Sequence, residues 1–183
     1  CCDYCPRESE SDPIIMALGY DVGVLRIYQF DSEKMKLNLL TQLRAHEQEI
    51  KKILFSPDKS YLMTITKVEI FIFIIDDFNK IIPFCSVKKN YNIIDADWHL
   101  DSKRFLIGLQ DGSVEEIEIP LNFDNSKTFL MQEYSYKKFF VKLAESQIEK
   151  DEDKSKRRKH EEKKKKEPQP SQIISVKYIN MYN

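Results

Sequence analysis

The stretch Ile50-Lys51-Lys52-Ile53-Leu54-Phe55-Ser56-Pro57-Asp58-Lys59-Ser60-Tyr61-Leu62 returns after a shift of 43 as Ile93-Ile94-Asp95-Ala96-Asp97-Trp98-His99-Leu100-Asp101-Ser102-Lys103-Arg104-Phe105. Apolar residues recur at matched places, and a polar turn falls after the sixth residue of each copy. Working outward, Leu18-Gly19-Tyr20-Asp21-Val22-Gly23 before Val24-Leu25-Arg26-Ile27-Tyr28 returns as Ile107-Gly108-Leu109-Gln110-Asp111-Gly112 before Ser113-Val114-Glu115-Glu116-Ile117.

A period in the forties, built of short β-like runs separated by Pro-Asp and Asp-Gly turns, is the signature of propeller blades. In the central copy Ile50–Phe55 reads as a strand stopped by Ser56-Pro57-Asp58, where proline fixes φ and aspartate bonds back to the backbone. Tyr61–Ile65 is the second strand and Val68–Ile75 the third. The third is apolar on both faces apart from Glu69, as expected of a strand sandwiched between neighbouring sheets. Lys67, Asp76 and Asp77 flank it as charged gatekeepers. Lys80–Val87 is the outer strand, where Pro83 is tolerated because an edge strand need not donate every amide.

The 183 residues are 42% apolar and 32% charged with a formal net charge of −1, enough apolar material for a sizeable core and no strong field of either sign. The longest apolar run, Ile70–Ile75, is far short of the ~18–20 residues that cross a bilayer, so no membrane partner is expected. With no initiator Met and no basic-then-apolar leader, the chain reads as a fragment of a longer protein. The two-residue gap of Cys2-Asp3-Tyr4-Cys5 suits a metal, but a structural zinc site needs four ligands and the remaining Cys85 and three histidines are scattered. The cysteines therefore read as reduced and uncoordinated in a cytosolic protein, and neither metal nor cofactor is expected.

These residues resemble the WD-repeat family. His46 followed by Ile50 and Phe55-Ser56-Pro57-Asp58 is similar to that family's histidine, first strand and turn, and Asp111-Gly112-Ser113-Val114 to its third-strand turn. Tyr28, Phe71 and Ile117 stand where the family carries tryptophan. The resemblance implies a hydrogen-bonded set that stiffens a blade, in which His46, Asp111 and Thr64 could take part, although they fall in different copies. Gly112 is the turn glycine beside Asp111, Trp98 is core in a first strand, and His99 replaces Ser56 in the turn. Asp95 and Asp97 share a strand face that reads as solvated, with a paired acid and base as the sharper alternative. No nucleophile with its base, no phosphate-cradling glycine loop and no metal constellation is present, so the chain reads as non-enzymatic.

The fold class expected is all-β, a partial WD-repeat propeller of about two to three blades with a short helical and disordered charged insertion. Residues 1–13 read as a flexible segment, 14–45 as a partial blade, 46–87 and 91–131 as blades, and 172–183 as the first strand of a further blade. The last follows from aligning Gln172–Tyr178 with Ile50–Phe55. A ring needs ~4–8 blades, so the remainder is expected outside this sequence.

Between them, at 132–171, Tyr136, Phe139, Phe140, Leu143, Gln147 and Ile148 have the spacing of an amphipathic helix. A tract from Asp151 to Glu167 follows, carrying Lys156, Arg157, Arg158, Lys159, Lys163, Lys164, Lys165 and Lys166 among acids. Such a tract cannot bury enough apolar area to offset chain entropy. It reads as a solvated loop between blades, or as a contact for an acidic surface such as tubulin tails, or as an import or nucleic-acid signal. No aromatics interleave the lysines, which argues against base stacking.

Gly19–Gly23, and Gly108–Glu116 ending at Ile119-Pro120, together with the lysine- and glutamate-rich insertion, are similar to the large cilia- and flagella-associated WD-repeat members. That implies an axonemal scaffold holding dynein or neighbouring complexes on doublet microtubules. The alternative is a nuclear or nucleolar ribosome-assembly propeller whose basic tract serves import or RNA contact.

Overall fold

The computed structural model describes residues 1–120 and 173–179, with the backbone alone for 136–140. Twelve strands fall into three four-stranded antiparallel sheets. The first is β1 (Cys2–Tyr4), β2 (Ile14–Gly19), β3 (Val24–Asp31) and β4 (Lys36–Arg44), paired in that order. The second is β5 (Lys52–Phe55), β6 (Tyr61–Ile65), β7 (Glu69–Asp77) and β8 (Lys80–Lys88). The third is β9 (Ile93–Trp98), β10 (Arg104–Leu109), β11 (Ser113–Glu118) and β12 (Tyr136–Phe140). No helix occurs among the described residues.

Each sheet is a meander, and the sequence repeat becomes a repeat of turns. Lys59 and Ser102, 43 residues apart, both sit at positive φ, +64° and +57°. The Ser56 amide bonds Tyr61 O at 2.9 Å and the His99 amide bonds Arg104 O at 2.9 Å. Two turns of different composition therefore close with one geometry.

The sheets stack through two apolar cores. Ile15, Ala17, Leu25 and Ile27 of the first sheet meet Ile53, Phe55, Leu62 and Phe73 of the second. Met63, Ile65, Ile70 and Ile72 of the second meet Ala96, Trp98, Phe105, Ile107 and Ile117 of the third. The second sheet is thus covered on both sides, which is why β7 has no polar face; successive side chains point to opposite sides of a strand and both sides are dry.

Three expectations change. Residues 1–13 are not a flexible lead-in: Cys2–Tyr4 is the innermost strand of the first sheet, so that blade is complete. A three-residue strand followed by the polar run Arg7–Asp12 carries too short an alternation to read from sequence. The helix expected from Tyr136 begins instead as strand β12, with Tyr136 opposite Ile117 and Phe140 opposite Ser113, so the third blade runs to Phe140 rather than 131. Tyr136, Phe139 and Phe140 are spaced i, i+3, i+4 as on a helix, and it is the edge of β11 that decides for the strand. Leu143, Gln147, Ile148 and the charged tract lie outside the described residues.

Candidate functional site

The meander order sends the β2–β3, β6–β7 and β10–β11 turns to one end of the blades together with the β4–β5 and β8–β9 linkers. His46 lies in the first of these linkers and is buried. The Thr64 hydroxyl stands 2.8 Å from its Nε2, the Glu69 carboxylate 3.2 Å from its Nδ1, and the Phe71 ring 4.3 Å from its own. The Nδ1–H tautomer satisfies all three polar groups, donating to Glu69 and accepting from Thr64. Burial holds the imidazole below the usual histidine pKa although Glu69 pulls the other way, so the ring is neutral at pH 7. His46 thereby ties the linker to β6 and β7.

Lys89, 43 residues on, occupies the same place in the next linker, and its ammonium meets Glu115 at 2.5 Å with side chains 10% and 6% exposed. The pairings show what Glu115 replaces. Thr64 lies opposite Phe71, Ile107 opposite Glu115 and Leu18 opposite Arg26. Phe71 therefore corresponds to Glu115 and Arg26, whereas Tyr28 and Ile117 correspond to Phe73. Of Tyr28, Phe71 and Ile117, aligned from sequence, Phe71 is the one misplaced: the ladder sets Phe73, two residues on, in the row of Tyr28 and Ile117. Asp111 is not brought to His46: its Oδ1 takes the Ser113 amide at 3.0 Å and hydroxyl at 2.5 Å, closing its own turn beside Gly112 at φ +82°.

At the seams between described segments, an aromatic is set against the preceding sheet: Phe55, Trp98 and Tyr178. Trp98 is 5% exposed, flanked by Tyr61 and Phe105, and its indole N–H donates to Leu54 O at 3.2 Å. The Phe55 amide donates to Asp3 Oδ2 at 2.8 Å. The Tyr178 amide donates to Asp97 Oδ2 at 2.9 Å and its hydroxyl to Glu116 Oε1 at 2.7 Å. Residues 173–179 carry no strand pairing, yet they lie against β9 as β5 lies against β1. A Cβ on Gly19 would fall 2.8 Å from Ile50, and one on Gly108 would fall 2.8 Å from Ile173. Both glycines make room for an isoleucine of the segment that follows, five residues before Phe55 in one case and before Tyr178 in the other.

Asp95 and Asp97 are therefore half-buried seam residues, not a solvated face. Asp95 takes the Lys52 ammonium, the Ser175 hydroxyl at 2.6 Å and the Val176 amide at 2.9 Å. Burial alone would raise its carboxyl, but these donors outweigh it and hold it below the usual carboxylate range. A carboxylate so held is a poor general acid. His99 accepts the Asp101 amide at 3.1 Å, has the Arg104 guanidinium 3.2 Å from Nε2, and stands edge-on to the Tyr178 ring. Among the described residues no group of three His, Cys, Asp or Glu is placed to hold a metal ion, and no helix is long and apolar enough to cross a membrane. The four cysteines are free thiols. Burial pushes Cys85 up to about 12 and Cys5 up to about 11.

Among the described residues, grooves open at both ends of the blades. One of 530 Å³ lies beside the His46 linker between Arg44, Glu47, Glu69, Phe71 and Lys88. The other, 630 Å³, lies at the opposite end between Arg7, Asp12, Phe30, Asp31 and Asn38.

No protein-family model and no curated protein sequence matches this chain. By structure it is similar to Sqt1 of Saccharomyces cerevisiae, at 13% identity and a TM-score of 0.56 over 70% of this chain and 32% of that one. It is similar to a chain of a humanized mutant of the Chaetomium thermophilum Polycomb Repressive Complex 2 bound to the inhibitor GSK126, at 15% identity and 0.53 over 72% and 28%. The WD40 domain of Toxoplasma gondii coronin matches at 15% identity and 0.50 over 57% and 27%. The chain thus spans about a third or less of each of these chains. The fold is that of a partial WD-repeat β-propeller.

Proposed function

We propose that this chain supplies consecutive blades of a non-enzymatic propeller scaffold that binds other proteins. The observation that carries the reading is the use of the chain's acids and histidines: His46, Asp95, Asp97, His99 and Asp111 are each tied into a loop or a seam. What is left for recognition is the rigid rim of loops and its two grooves.

The finer reading places the scaffold in the ciliary or flagellar axoneme, where it would hold dynein arms or neighbouring complexes on doublet microtubules. Its support is the resemblance of Gly19–Gly23 and Gly108–Glu116 to axonemal WD-repeat proteins. The lysines and arginines of 156–166 would meet an acidic surface such as tubulin. Tagged full-length protein should stay with axonemes after detergent extraction. A nucleolar signal would instead favour the ribosome-assembly reading and overturn this one. For the scaffold itself, Arg44→Glu with Lys88→Glu should reduce partner capture while leaving Tm unchanged; undiminished capture would argue against the His46-side groove as the contact.

A further inference from the structure

A serine or threonine with an acid three residues further on occurs at three places among the described residues: Ser9 before Asp12, Thr66 before Glu69 and Ser113 before Glu116. Thr66 and Ser113 are 1% and 0% exposed and bonded into their own turns. Ser9 lies in the open, in the loop that joins β1 to β2, with Glu8 and Glu10 on either side of it. A kinase that selects acidic substrates holds them on a basic surface, and three carboxylates around one accessible hydroxyl match that surface. Within the loop the Asp12 amide closes on Ser9 O at 3.2 Å, a solvent-exposed turn that opens locally without disturbing either strand.

Asp12 is the hub of this turn. Its Oδ2 accepts the Glu8 amide at 2.8 Å and the Ser9 amide at 3.3 Å, and its Oδ1 accepts the Ser9 hydroxyl at 2.8 Å. These bonds, the Glu8 amide foremost, hold its carboxyl at about 2, so the group is ionised at neutral pH. Lys59, in the β5–β6 turn of the next blade, reaches Glu8 Oε1 at 2.9 Å and Asp12 Oδ2 at 3.6 Å. The loop is thereby tied to the second blade, and its Arg7, Glu10, Ser11 and Asp12 line the 630 Å³ groove.

We propose that Ser9 is a phosphorylation site for a kinase that selects acidic sequences, and that a phosphate there opens the turn held by Asp12 and reshapes the groove beside it. In the transfer, Ser9 Oγ attacks the γ-phosphorus of a nucleoside triphosphate and its proton passes to the kinase's carboxylate base. The Oγ–P bond forms as the bond to the bridging β–γ oxygen breaks, and the nucleoside diphosphate leaves with that electron pair. The phosphorylated Oγ has no hydrogen left to donate to Asp12, and the phosphate sets a charge of about −1.5 to −2 against an ionised carboxylate. Asp12 then swings away, the Glu8 and Ser9 amides are released, and Lys59 is drawn from Asp12 to the phosphate. The effect on binding rests on the reading of the rim grooves as protein contacts; the modification itself does not.

Two measurements test this. Full-length protein isolated from its own cells under phosphatase inhibition is mapped by mass spectrometry, and recombinant full-length protein is incubated with an acid-directed serine kinase and ATP. Phosphate is expected on Ser9 in both. Incorporation into the segment 7–12 should fall several-fold in Ser9→Ala and be retained in Ser11→Ala, and hydrogen exchange at the Glu8 and Ser9 amides should be several-fold faster after phosphorylation. Phosphate confined to Ser11 or to other residues, an unmodified Ser9 in the cellular protein, or unchanged exchange at those amides would each overturn the proposal. None of these readouts depends on axonemal retention or on the Arg44 and Lys88 variants, so the two readings fail separately.

Discussion

Replacing Thr64 with valine removes one hydroxyl and nothing else of consequence. The site is fully buried and valine has nearly the same shape, so no cavity opens. What is lost is the bond at 2.8 Å to His46 Nε2, which leaves a ring nitrogen without a partner where water cannot reach. An unsatisfied buried polar atom costs about 1–3 kcal/mol. For a chain of this size that is a fall in Tm of about 2–4 °C per kcal/mol. Thr64→Ser keeps the hydroxyl and gives up one methyl, about 0.5–1.5 kcal/mol. His46→Phe, alone and combined with Thr64→Val, completes a double-mutant cycle, in which the coupling between positions 46 and 64 should be about 0.5–3 kcal/mol.

The pH dependence supplies the second arm. The folded His46 pKa lies below the ordinary 6.5, so the unfolded chain binds the proton first. The contribution is whole above pH 6.5 and is lost as the pH falls through the folded value. Urea unfolding of the five proteins between pH 5 and 8 should show that acid loss in the parent and not in His46→Phe. Thr64→Val within about 0.5 kcal/mol of the parent, or a serine variant as damaged as the valine one, would refute the assigned tautomer and the bond.

Trp98→Ala should cost about 3–5 kcal/mol by equilibrium unfolding, since a large buried side chain is lost from the seam between the second and third sheets; a loss below about 1 kcal/mol would place the indole outside the core. Gly23 has φ +75°, and a Cβ there would fall 2.0 Å from His46 O, so Gly23→Ala should lose more than about 1–2 kcal/mol in the same assay. Lys52→Met should lower stability at neutral pH and flatten the loss between pH 5 and 2, because Asp95 is held low in the fold partly by Lys52 and that contribution vanishes as acid protonates it. An unchanged acid limb would deny the pairing. In native protein a thiol reagent should modify Cys1 and Cys2 readily, with Cys5 and Cys85 reacting only on unfolding, as mass spectrometry of quenched samples would show.

The repeat carried most of the architecture because each blade is one local unit. Ile53, Phe55, Leu62 and Ile65 recur as Ala96, Trp98, Phe105 and Gly108 with fixed spacing, and the Pro-Asp and Asp-Gly turns fall where chain reversal needs them. The seams were not legible. Asp95 and Asp97 look solvated on an isolated strand, and only the segment at 173–179, some eighty positions on, makes them acceptors for Val176 and Tyr178. Lys89 and Glu115 look like two ordinary surface charges until the pairing of β10 with β11 puts Glu115 where Phe71 stands one blade earlier.

By itself, then, the order of residues determined the strands, their turns and the radial repeat, since these depend on neighbours within a few positions. The tertiary structure alone decided that Cys2–Tyr4 completes a blade, that Tyr136–Phe140 pairs as a strand, and that the inner acids hold adjacent blades together. Those outcomes are fixed by unpaired edges and by donors brought from distant segments, and no local pattern along the chain encodes which edge or donor will arrive.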